Sequence, residues 1–398
     1  MRNTWRAGGI AYHEDASTIV RQPQRSFEPT YRLTKRLQEV VRTLERCDQD
    51  LLHFVADDAT SHRLLRDALT RNAFGTASIE GNPMTLEEVQ SLLAAGPTPE
   101  KVTQPDEREI LNIADFLEHL EDAAFPASVA DLCALHRRLF AGVLKDPGKL
   151  KVKSNFIGSR RDRTVVFVPT PPERVKKELE DLLTWHTDSE EHPAVKAALF
   201  FHEFQSIHPF PDGNGRLGRA LATLSLWYAG YPGVRYALVD YAINNDRQNY
   251  YESLQDARAK NDLTVWLDFF LPLLAESFQD AVRHFLFAKS LPRNLGDRPV
   301  RVAEVAARLD RSNPGRRFKL ADLHAVLPQI PLRTLQLDLR RLVEAGILER
   351  EGERKAATYR LTFDEPRGAL SKGTNLTAEG LAKGSPAPRS RSAPNRRE

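Results

Sequence analysis

The sequence predicts a mainly α-helical protein, in which a helical bundle is interrupted by one β-hairpin and followed by a small α+β domain. Helical periodicity runs from Glu107 to about Lys289. Two short runs of strand-forming residues, 155–158 and 164–168, interrupt it around a charged turn. After Pro292, three helical patterns are followed by two further strand patterns. The two halves of the prediction therefore rest on separate stretches of chain.

Four parts follow from these patterns: an N-terminal helical region (1–106), a central helical domain (107–290), a small domain (291–364) and a tail (365–398). In the small domain, three helices followed by a hairpin is the order of a winged helix-turn-helix. The tail is rich in Gly, Ser, Pro and Arg. It has too little apolar surface to offset the entropy of ordering, so we expect it to be disordered.

The composition is that of a globular protein. Of 398 residues, 41% are hydrophobic and 28% are charged, which allows a sizeable core. The two cysteines, Cys47 and Cys133, form no CxxC pattern, so we expect neither a disulfide framework nor a zinc site and place the protein in the cytoplasm. No signal-like apolar stretch follows the N-terminus and no apolar run reaches transmembrane length, so no membrane association is expected.

Charge is distributed unevenly along the chain. Residues 291–398 hold 22 lysines and arginines against 13 aspartates and glutamates, whereas the rest holds 35 against 41. A basic C-terminal third suggests a partner of its own. Arg333, Arg340 and Arg341 on its third helix favour DNA, but Asp338 and Glu344 share that helix and favour a protein partner or a homodimer contact. The sequence leans slightly towards protein recruitment, because those acids would oppose a phosphate backbone.

The most informative stretch is the twelve-residue segment from His208 to Arg219, which reads HPFPDGNGRLGR. It joins two helices that are apolar nearly all round and therefore belong in the centre of a domain. Two prolines end the first helix, and the second opens near Asn214. Gly-Asn-Gly at that opening allows close backbone approach. The free N–H groups of the new helix, with the positive end of its dipole, predict a site for phosphates.

Charged groups around this turn complete a catalytic pattern. Arg216 and Arg219 lie one helical turn apart, so both can reach oxyanions. Asp212 is a hard oxygen ligand suited to magnesium, and a neutral His208 can take a proton from a hydroxyl. Singly, a histidine after an apolar helix is more often structural, and Gly-x-Gly or Asp-Gly is usually only a turn. Together within twelve positions they indicate phosphoryl or nucleotidyl transfer.

This segment resembles the motif of the Fic family, His-Pro-Phe-x-(Asp/Glu)-Gly-Asn-Gly-Arg-x-x-Arg, and every specified position is filled. The resemblance implies a Fic (Fido) helical bundle and transfer of AMP from ATP to a Ser, Thr or Tyr hydroxyl of a target protein, with loss of pyrophosphate. It implies His208 as the base and Asp212 as the Mg²⁺ ligand. It also implies an ATP-phosphate cradle formed by Gly213, Asn214, Gly215, Arg216, Leu217, Gly218 and Arg219.

Two further segments agree with the family. The predicted hairpin resembles the Fic flap, which holds a target segment by strand addition; the family often has Arg near Lys149 and Lys151, where this chain has Lys. Taken alone, a hairpin with charges at its tip is more often just an exposed turn. Tyr250 and Tyr251 fall where Fic proteins place aromatic residues near adenine. Without the resemblance, they would be interpreted as core residues.

Residues 76–81, TASIEG, resemble the inhibitory motif (Ser/Thr)-x-x-x-Glu-(Gly/Asn) of self-restrained Fic enzymes. Because residues 76–81 precede the Fic motif, the resemblance implies the class of Fic enzymes with an N-terminal inhibitory helix. In that class Glu80 pairs with Arg219 and occupies the place of the ATP γ-phosphate. On its own, a glutamate at a helix end is usually a solvated residue.

Three functions therefore compete. The leading one is a protein adenylyltransferase restrained by Glu80. The second is the reverse, de-AMPylating hydrolysis, in which Glu80 orients water and the same residues serve. The third is a DNA-binding regulator whose Fic domain only senses ATP, although His208 would then have no role as a base.

Overall fold

Helices dominate the structure, a computed structural model that describes residues 4–7, 10–15, 17–23, 26–54, 59–98, 101–159, 163–292, 294–312, 317–352 and 357–362. The predicted tail and the tip of the predicted hairpin, residues 160–162, lie outside the described residues. The helices before residue 291 are α1 (Lys35–Phe54), α2 (Ala59–Ile79), α3 (Leu86–Ala95), α4 (Pro105–Glu118), α5 (Val129–Leu139), α6 (Pro172–Asp188), α7 (Pro193–Ile207), α8 (Asn214–Tyr228), α9 (Val239–Asn245), α10 (Arg247–Lys260) and α11 (Thr264–Ser290).

Local signals in the N-terminal region predict its helices well. Apolar residues at helical spacing between Thr34 and Ala56 predict a helix, which is α1. The order Thr85-Leu86-Glu87-Glu88 predicts a capping box before α3, and it is confirmed: Glu88 N donates to Thr85 Oγ1 over 3.2 Å, and Thr85 N donates to Glu88 Oε2 over 2.7 Å. Helix α2 begins at Ala59 and ends at Ile79. Gly81, with φ +98°, follows that end in a conformation that suits glycine.

The core lies where α7 and α8 pack against each other. Almost every residue of α7 is buried, from Ala194 to Ile207, as the predicted all-round apolar character requires. The long α11 packs on α1 and α7, and Trp266 Nε1 donates to the carbonyl oxygen of Ala198 over 2.7 Å. The turn from His208 to Gly213 thus joins two helices that the core holds firmly.

A small sheet covers one side of the bundle. It contains β1 (Thr4–Ala7), β2 (Ile10–His13), β3 (Ile19–Val20), β4 (Ile157–Ser159) and β5 (Thr164–Val168). Antiparallel pairing of β4 with β5 confirms the predicted hairpin. The N-terminal strands were not predicted. Strands β2 and β3 pair in parallel with β5. Because Thr164 is paired with both Ser159 and His13, β4 and the N-terminal strands lie on opposite edges of β5.

A buried ion cluster fixes this N-terminal segment to the bundle. Arg21 Nε donates to Glu178 Oε2 over 2.9 Å, and its Nη2 pairs with Glu203 Oε1. Thr170 Oγ1 also donates to Glu178 over 2.7 Å. All three ionic side chains are almost fully buried. Because buried charges are tolerated only when paired, this cluster determines where residues 19–21 can lie.

The C-terminal region, residues 294–362, packs around a hydrophobic cluster that also includes Phe287 and Leu291 from the end of α11 and the residue after it. It comprises α12 (Asp297–Ser312), β6 (Phe318–Lys319), α13 (Leu320–Val326), α14 (Leu332–Glu344), β7 (Leu348–Glu351) and β8 (Thr358–Leu361). The three predicted helices and the closing hairpin are present, and an additional strand, β6, completes an antiparallel sheet of order β6-β8-β7.

One ion pair ties this region to the N-terminal helices. Arg63, on α2, donates from Nη2 and Nε to Glu304 Oε1 on α12, over 2.8 and 3.1 Å. Among the helices that the structure describes, none has the length and apolar character needed to span a membrane.

Candidate active site

The predicted phosphate-binding turn is tightly built. Helix α7 ends at Ile207, and His208 adopts a left-handed conformation, with φ 51° and ψ 61°. Gly213 precedes α8 with φ +82°, which favours glycine, and a Cβ there would meet the ring of Phe140 at 2.7 Å. Helix α8 then begins at Asn214. The free N–H groups of its first turn therefore open at the predicted place.

Side chains from within the segment hold the turn in shape. Phe210 N donates to Asn214 Oδ1, and Asn214 Nδ2 donates back to the carbonyl oxygen of Phe210, both over 2.9 Å. Gln205 Nε2 donates to the carbonyl oxygen of Asn214 over 2.9 Å. The Asn214 side chain, predicted in the phosphate cradle, therefore braces the loop. Leu217 is fully buried, and a Cβ on Gly218 would meet Gln205 at 2.3 Å, so the side-chain positions of both face the core.

Lys151, noted in the sequence only because the family often has Arg near this position, holds the turn by hydrogen bonds. The backbone N of Lys151 donates to the carbonyl oxygen of Pro209 over 2.9 Å. Its buried Nζ donates to Asn155 Oδ1 over 2.8 Å and to the carbonyl oxygen of Ile207 over 3.3 Å. Burial lowers the pKa of Lys151 to about 7. Sequence reasoning missed this role; the only available signal was the position of Lys151 just before the hairpin.

His136, also missed, fixes the other side of the turn. Gly148 N donates to His136 Nδ1 over 2.8 Å, so Nδ1 is the acceptor and Nε2 carries the proton. Nε2 then donates to the carbonyl oxygen of Asp212 over 3.0 Å, and the ring stacks on Phe210 at 3.9 Å. Burial lowers the pKa of His136, which keeps it neutral. Nothing local in the sequence around His136 indicates this contact with the turn.

His208 is electrostatically prepared to accept a proton. Burial, with a further contribution from Lys151 and Arg258, lowers its pKa to about 3. The imidazole is therefore neutral at physiological pH. Its Nδ1 is buried and has no hydrogen-bond partner among the described residues. A neutral, positioned imidazole has the properties of a general base.

Arg216 contacts two carboxylates, those of Asp212 and Glu109. Arg216 Nη2 donates to Asp212 Oδ1 over 2.8 Å, while its Nη1 pairs with Glu109 on α4. The Arg216 guanidinium also lies 4.8 Å from the centre of the Phe140 ring. Glu109 was not predicted; it lies 107 positions away from Arg216. Arg216 is thereby held beside the turn rather than left free.

Asp212 has the properties expected of a single magnesium ligand. Its side chain is 62% exposed, and Oδ1 accepts hydrogen bonds from Gly213 N and Arg216. No group of three His, Cys, Asp or Glu side chains suited to a metal occurs among the described residues. Magnesium commonly uses only one or two carboxylates and completes its shell with water and phosphates. The residues present therefore fit an ion that arrives with a nucleotide.

Glu80 pairs with Arg219. Arg219 Nη2 donates to Glu80 Oε1 over 2.9 Å and to the carbonyl oxygen of Thr76 over 3.0 Å. Arg219 Nε donates to Thr76 Oγ1 over 2.7 Å, so the first residue of the predicted inhibitory motif takes part too. Arg219 is only 2% exposed, and its Nη1 has no partner within the described residues. A buried guanidinium with an unused N–H can donate to the oxygen of a bound anion.

The carboxylate of Glu80 lies inside the phosphate-binding turn. A Cβ placed on Gly215 would come within 1.9 Å of Glu80 Oε1 and 3.3 Å of Arg219 Nη1. Only glycine at position 215 leaves room for that oxygen. Glu80 thus occupies space at the N-terminus of α8, where an anion is favoured.

The two tyrosines differ in their surroundings. Tyr250 is 2% exposed and packs among aromatic rings, with ring centres 6.2 Å from Phe201 and 6.1 Å from Trp266. Tyr251 is 45% exposed, and its hydroxyl donates to the carbonyl oxygen of Ile79 over 3.5 Å. Tyr251 therefore lies beside the segment that carries Glu80, while Tyr250 supports it from the core.

Comparison with known proteins gives a consistent result. A family model described as Fic/DOC family matches residues 126–226. Protein adenylyltransferase fic-1 of Caenorhabditis briggsae is 25% identical over 231 residues, which cover 55% of this chain and 42% of that protein. Protein adenylyltransferase Fic of Drosophila willistoni is 28% identical over 229 residues, covering 53% of this chain and 44% of that protein. The chain spans less than half the length of these two relatives.

Solved structures share the fold. A Fic family protein from Desulfovibrio desulfuricans G20 matches with a TM-score of 0.57 and 26% identity, over 85% of this chain and 99% of its own. A Fic domain containing signaling protein from Bacteroides thetaiotaomicron VPI-5482 matches with a TM-score of 0.51 and 21% identity, over 63% of this chain and 95% of its own; that likeness concerns the fold alone. Residues 126–226 therefore match the Fic/DOC family, and the chain shares the fold of these two Fic structures.

Proposed function

We propose that this protein is an adenylyltransferase that transfers AMP from ATP to a Ser, Thr or Tyr hydroxyl of a target protein, and that Glu80 restrains it. The observation that carries the proposal is the Glu80 carboxylate lying within the phosphate-binding turn against Arg219. A carboxylate that fills an anion site is a natural substitute for a phosphate. The names of the relatives, protein adenylyltransferases, support the same chemistry.

In this proposal, His208 begins the reaction. Its neutral imidazole takes the proton of the target hydroxyl, whose oxygen forms a bond to the α-phosphorus of ATP. The bond between that phosphorus and the bridging oxygen breaks, pyrophosphate leaves, and AMP remains on the target. The low pKa of His208 keeps the base unprotonated before the reaction. Hydrogen bonds of Lys151 and Asn214 hold the turn that carries His208.

The turn and its arginines would hold the phosphates. N–H groups at the start of α8 would donate to phosphate oxygens, and Arg219, once released from Glu80, would donate to the γ-phosphate. Asp212 would hold Mg²⁺, which neutralises the charge of the phosphates when it is bound. Arg216, fixed by Glu109, would keep Asp212 in position.

Glu80 would restrain AMP transfer because it and the γ-phosphate of ATP compete for the same space. With Glu80 paired to Arg219, the γ-phosphate has neither its arginine nor room beside Gly215. Two carboxylate or phosphate anions cannot share that space without strong repulsion. Removal of Glu80 would therefore open the productive position. The reverse reaction, hydrolysis of AMP from a modified target, would use the same carboxylate to orient water.

We further propose where the two substrates lie. Tyr251, exposed beside residues 78–80, is the better of the two tyrosines for contact with adenine. The target segment would add to β4, because β5 is paired on both edges by strands of this chain. Leu217, Gly218 and Tyr250 would then support the site from the core.

Labelled ATP separates these proposals. The Glu80→Gly protein would be incubated with a cell extract in two parallel reactions, one with ATP labelled at the α-phosphate and one with ATP labelled at the γ-phosphate. AMP transfer predicts protein-bound label from α-labelled ATP only, and loss of it with Glu80→Gly/His208→Ala. Label from γ-labelled ATP would indicate a kinase instead. A target that the wild type strips of AMP faster than Glu80→Gly does would identify the hydrolase.

We also propose a cytoplasmic location, supported by two free cysteines, Cys47 and Cys133. The division at residues 106, 290 and 364 and the winged helix-turn-helix assignment remain proposals, as does a homodimer. The target protein is the proposed partner of the central domain.

A further inference from the structure

The surface of α14 shows a clear division between its two sides. Four of its residues are buried in the core of the C-terminal region: Leu335, Asp338, Leu339 and Leu342. Most of the exposed residues follow helical spacing and share the opposite side: Arg333, Gln336, Leu337, Arg340, Arg341 and Glu344. This side is therefore a mainly basic strip along a helix of 13 residues, with three arginines and one acid, Glu344, in the last turn.

Asp338, which the sequence analysis counted against DNA, is not part of that strip. It is 0% exposed, and Arg298 donates to its two carboxylate oxygens over 2.7 and 3.1 Å. Its charge is neutralised inside the region. Of the two acids behind the sequence-based lean towards protein recruitment, Asp338 is therefore buried and paired, whereas Glu344 is exposed on α14.

A cavity of about 550 Å³ lies next to the strip. Its lining includes three cations, Lys319, Arg340 and Arg350, and no acid. No ion pair of these three occurs among the described residues. By contrast, neighbouring arginines are paired: Arg317 with Glu351, and Arg360 with Glu349. The unpaired cations are thus concentrated on the side that α14 exposes.

We propose that this surface, the basic face formed by Arg333, Gln336, Arg340, Arg341, Lys319 and Arg350, binds double-stranded DNA, with α14 in the major groove. An α-helix fits the major groove, which is about 12 Å wide. Arginine and glutamine are side chains that contact base edges there, and Lys319 and Arg350, at the rim, suit backbone phosphates. The proposal does not depend on AMP transfer.

The character of the face favours DNA over a protein partner. The centre of a protein–protein interface is depleted of charged residues. Here Leu332 and Leu337 are the only exposed large hydrophobic residues of described α14, and arginines flank them. The excess of basic residues over the whole C-terminal third, 22 against 13, would add long-range attraction for a polyanion.

The test uses the full chain and a short labelled duplex of mixed sequence, with fluorescence anisotropy over a series of salt concentrations. We expect binding whose logarithm falls linearly with the logarithm of salt concentration, by about 0.9 per phosphate contact. Lys319→Ala and Arg350→Ala should each lower that slope by about 1. Arg340→Ala/Arg341→Ala should weaken binding by at least about tenfold.

Arg360→Ala is the matched control. Like Lys319→Ala and Arg350→Ala, it removes one positive charge. Arg360 follows the cavity-lining Tyr359 on β8, so its side chain points to the opposite side of the sheet. It should leave affinity and slope unchanged. The replaced side chains are exposed, and circular dichroism would verify the fold. No binding at the lowest salt, an equal loss with Arg360→Ala, or full binding by Arg340→Ala/Arg341→Ala would each overturn the proposal.

Discussion

Glu80 and Arg219 are 139 positions apart in the chain, yet their side chains meet over 2.9 Å at the start of α8. The contact joins the residue after the end of α2 to the second turn of α8. Arg247 Nη2 donates to Ser78 Oγ over 2.7 Å, so α10 holds the same segment from another side. Glu80 therefore reaches the turn from a braced position.

Replacing Glu80 with Gly should raise AMP transfer. A hydrogen bond to a charged group contributes about 1.5–3 kcal/mol. Freeing Arg219 should thus increase the rate on the order of tenfold to hundredfold. Label transfer from α-labelled ATP measures it. Arg219→Ala should be inactive with or without Glu80→Gly. Equal rates in wild type and Glu80→Gly would contradict the inhibitory role.

Replacing Gly215 with Ala should displace Glu80 without activating the enzyme. The new methyl group would need the space now held by Glu80 Oε1, 1.9 Å away. The same methyl group would also fill the place proposed for a phosphate. We expect label transfer no higher than in wild type, measured beside Glu80→Gly. Activation by Gly215→Ala would show that phosphates bind elsewhere.

Replacing His208 with Ala in the Glu80→Gly protein should lower AMP transfer by about 10²–10⁴, the usual cost of losing a general base. Nucleotide binding, measured by calorimetry, should persist. His119→Ala, at the exposed end of α4, is a control expected to have no effect. An undiminished rate in His208→Ala would rule out its role as the base.

The pH dependence tests the same residue. A base must be neutral, and His208 is neutral above its pKa of about 3. The rate should therefore show no histidine ionisation near pH 6.5, where an ordinary imidazole titrates. A pH profile of kcat/KM for Glu80→Gly would measure this. A loss of rate that depends on His208 as pH falls through 6.5 would contradict the perturbed environment.

Replacing Asp212 with Ala should weaken the dependence on magnesium. We expect the magnesium concentration for half-maximal activity to rise at least about tenfold, since even a residue that only orients a ligand costs that much. Asp256→Ala, which removes an exposed carboxylate on α10, provides the control. An unchanged magnesium titration of Asp212→Ala would place the ion on other ligands.

Replacing Arg21 with Ala should destabilise the fold. It would leave the buried Glu178 and Glu203 without their partner, which typically costs about 3–5 kcal/mol. Arg42→Ala breaks an exposed pair with Glu39 and should cost less than about 1 kcal/mol. Denaturant unfolding of both variants compares the free energies. Equal losses would mean that the Arg21 cluster is not a buried structural unit.

The sequence predicts best those features whose determinants are contiguous. Two examples each lie within a single stretch of sequence: the segment from His208 to Arg219, and the capping box of Thr85 and Glu88. Strands β2 and β3 escaped prediction because their partner, β5, lies about 150 positions away and their pairing is only a few residues long.

Site residues were missed for the same reason. Lys151, His136 and Glu109 reach the turn through tertiary packing, and none carries a local pattern that reveals it. Asp338 shows the opposite error. Helical spacing alone leaves its exposure undetermined, and its partner Arg298 lies 40 positions earlier. Which of two adjacent tyrosines is buried likewise depended on the neighbours of α10.

The pair between Arg63 and Glu304 has a consequence for the mobility of α2. This helix is fastened near its start by Glu304 and near its end by the bonds of Thr76 to Arg219. A helix held at both ends loses one of these side-chain contacts when it frays past either of them. Its amide protons should therefore exchange with solvent slowly and together, and Glu304→Ala should accelerate exchange from the first turn inward. The C-terminal region thus stabilises the first turns of α2, at the end of the helix that is distant from Glu80.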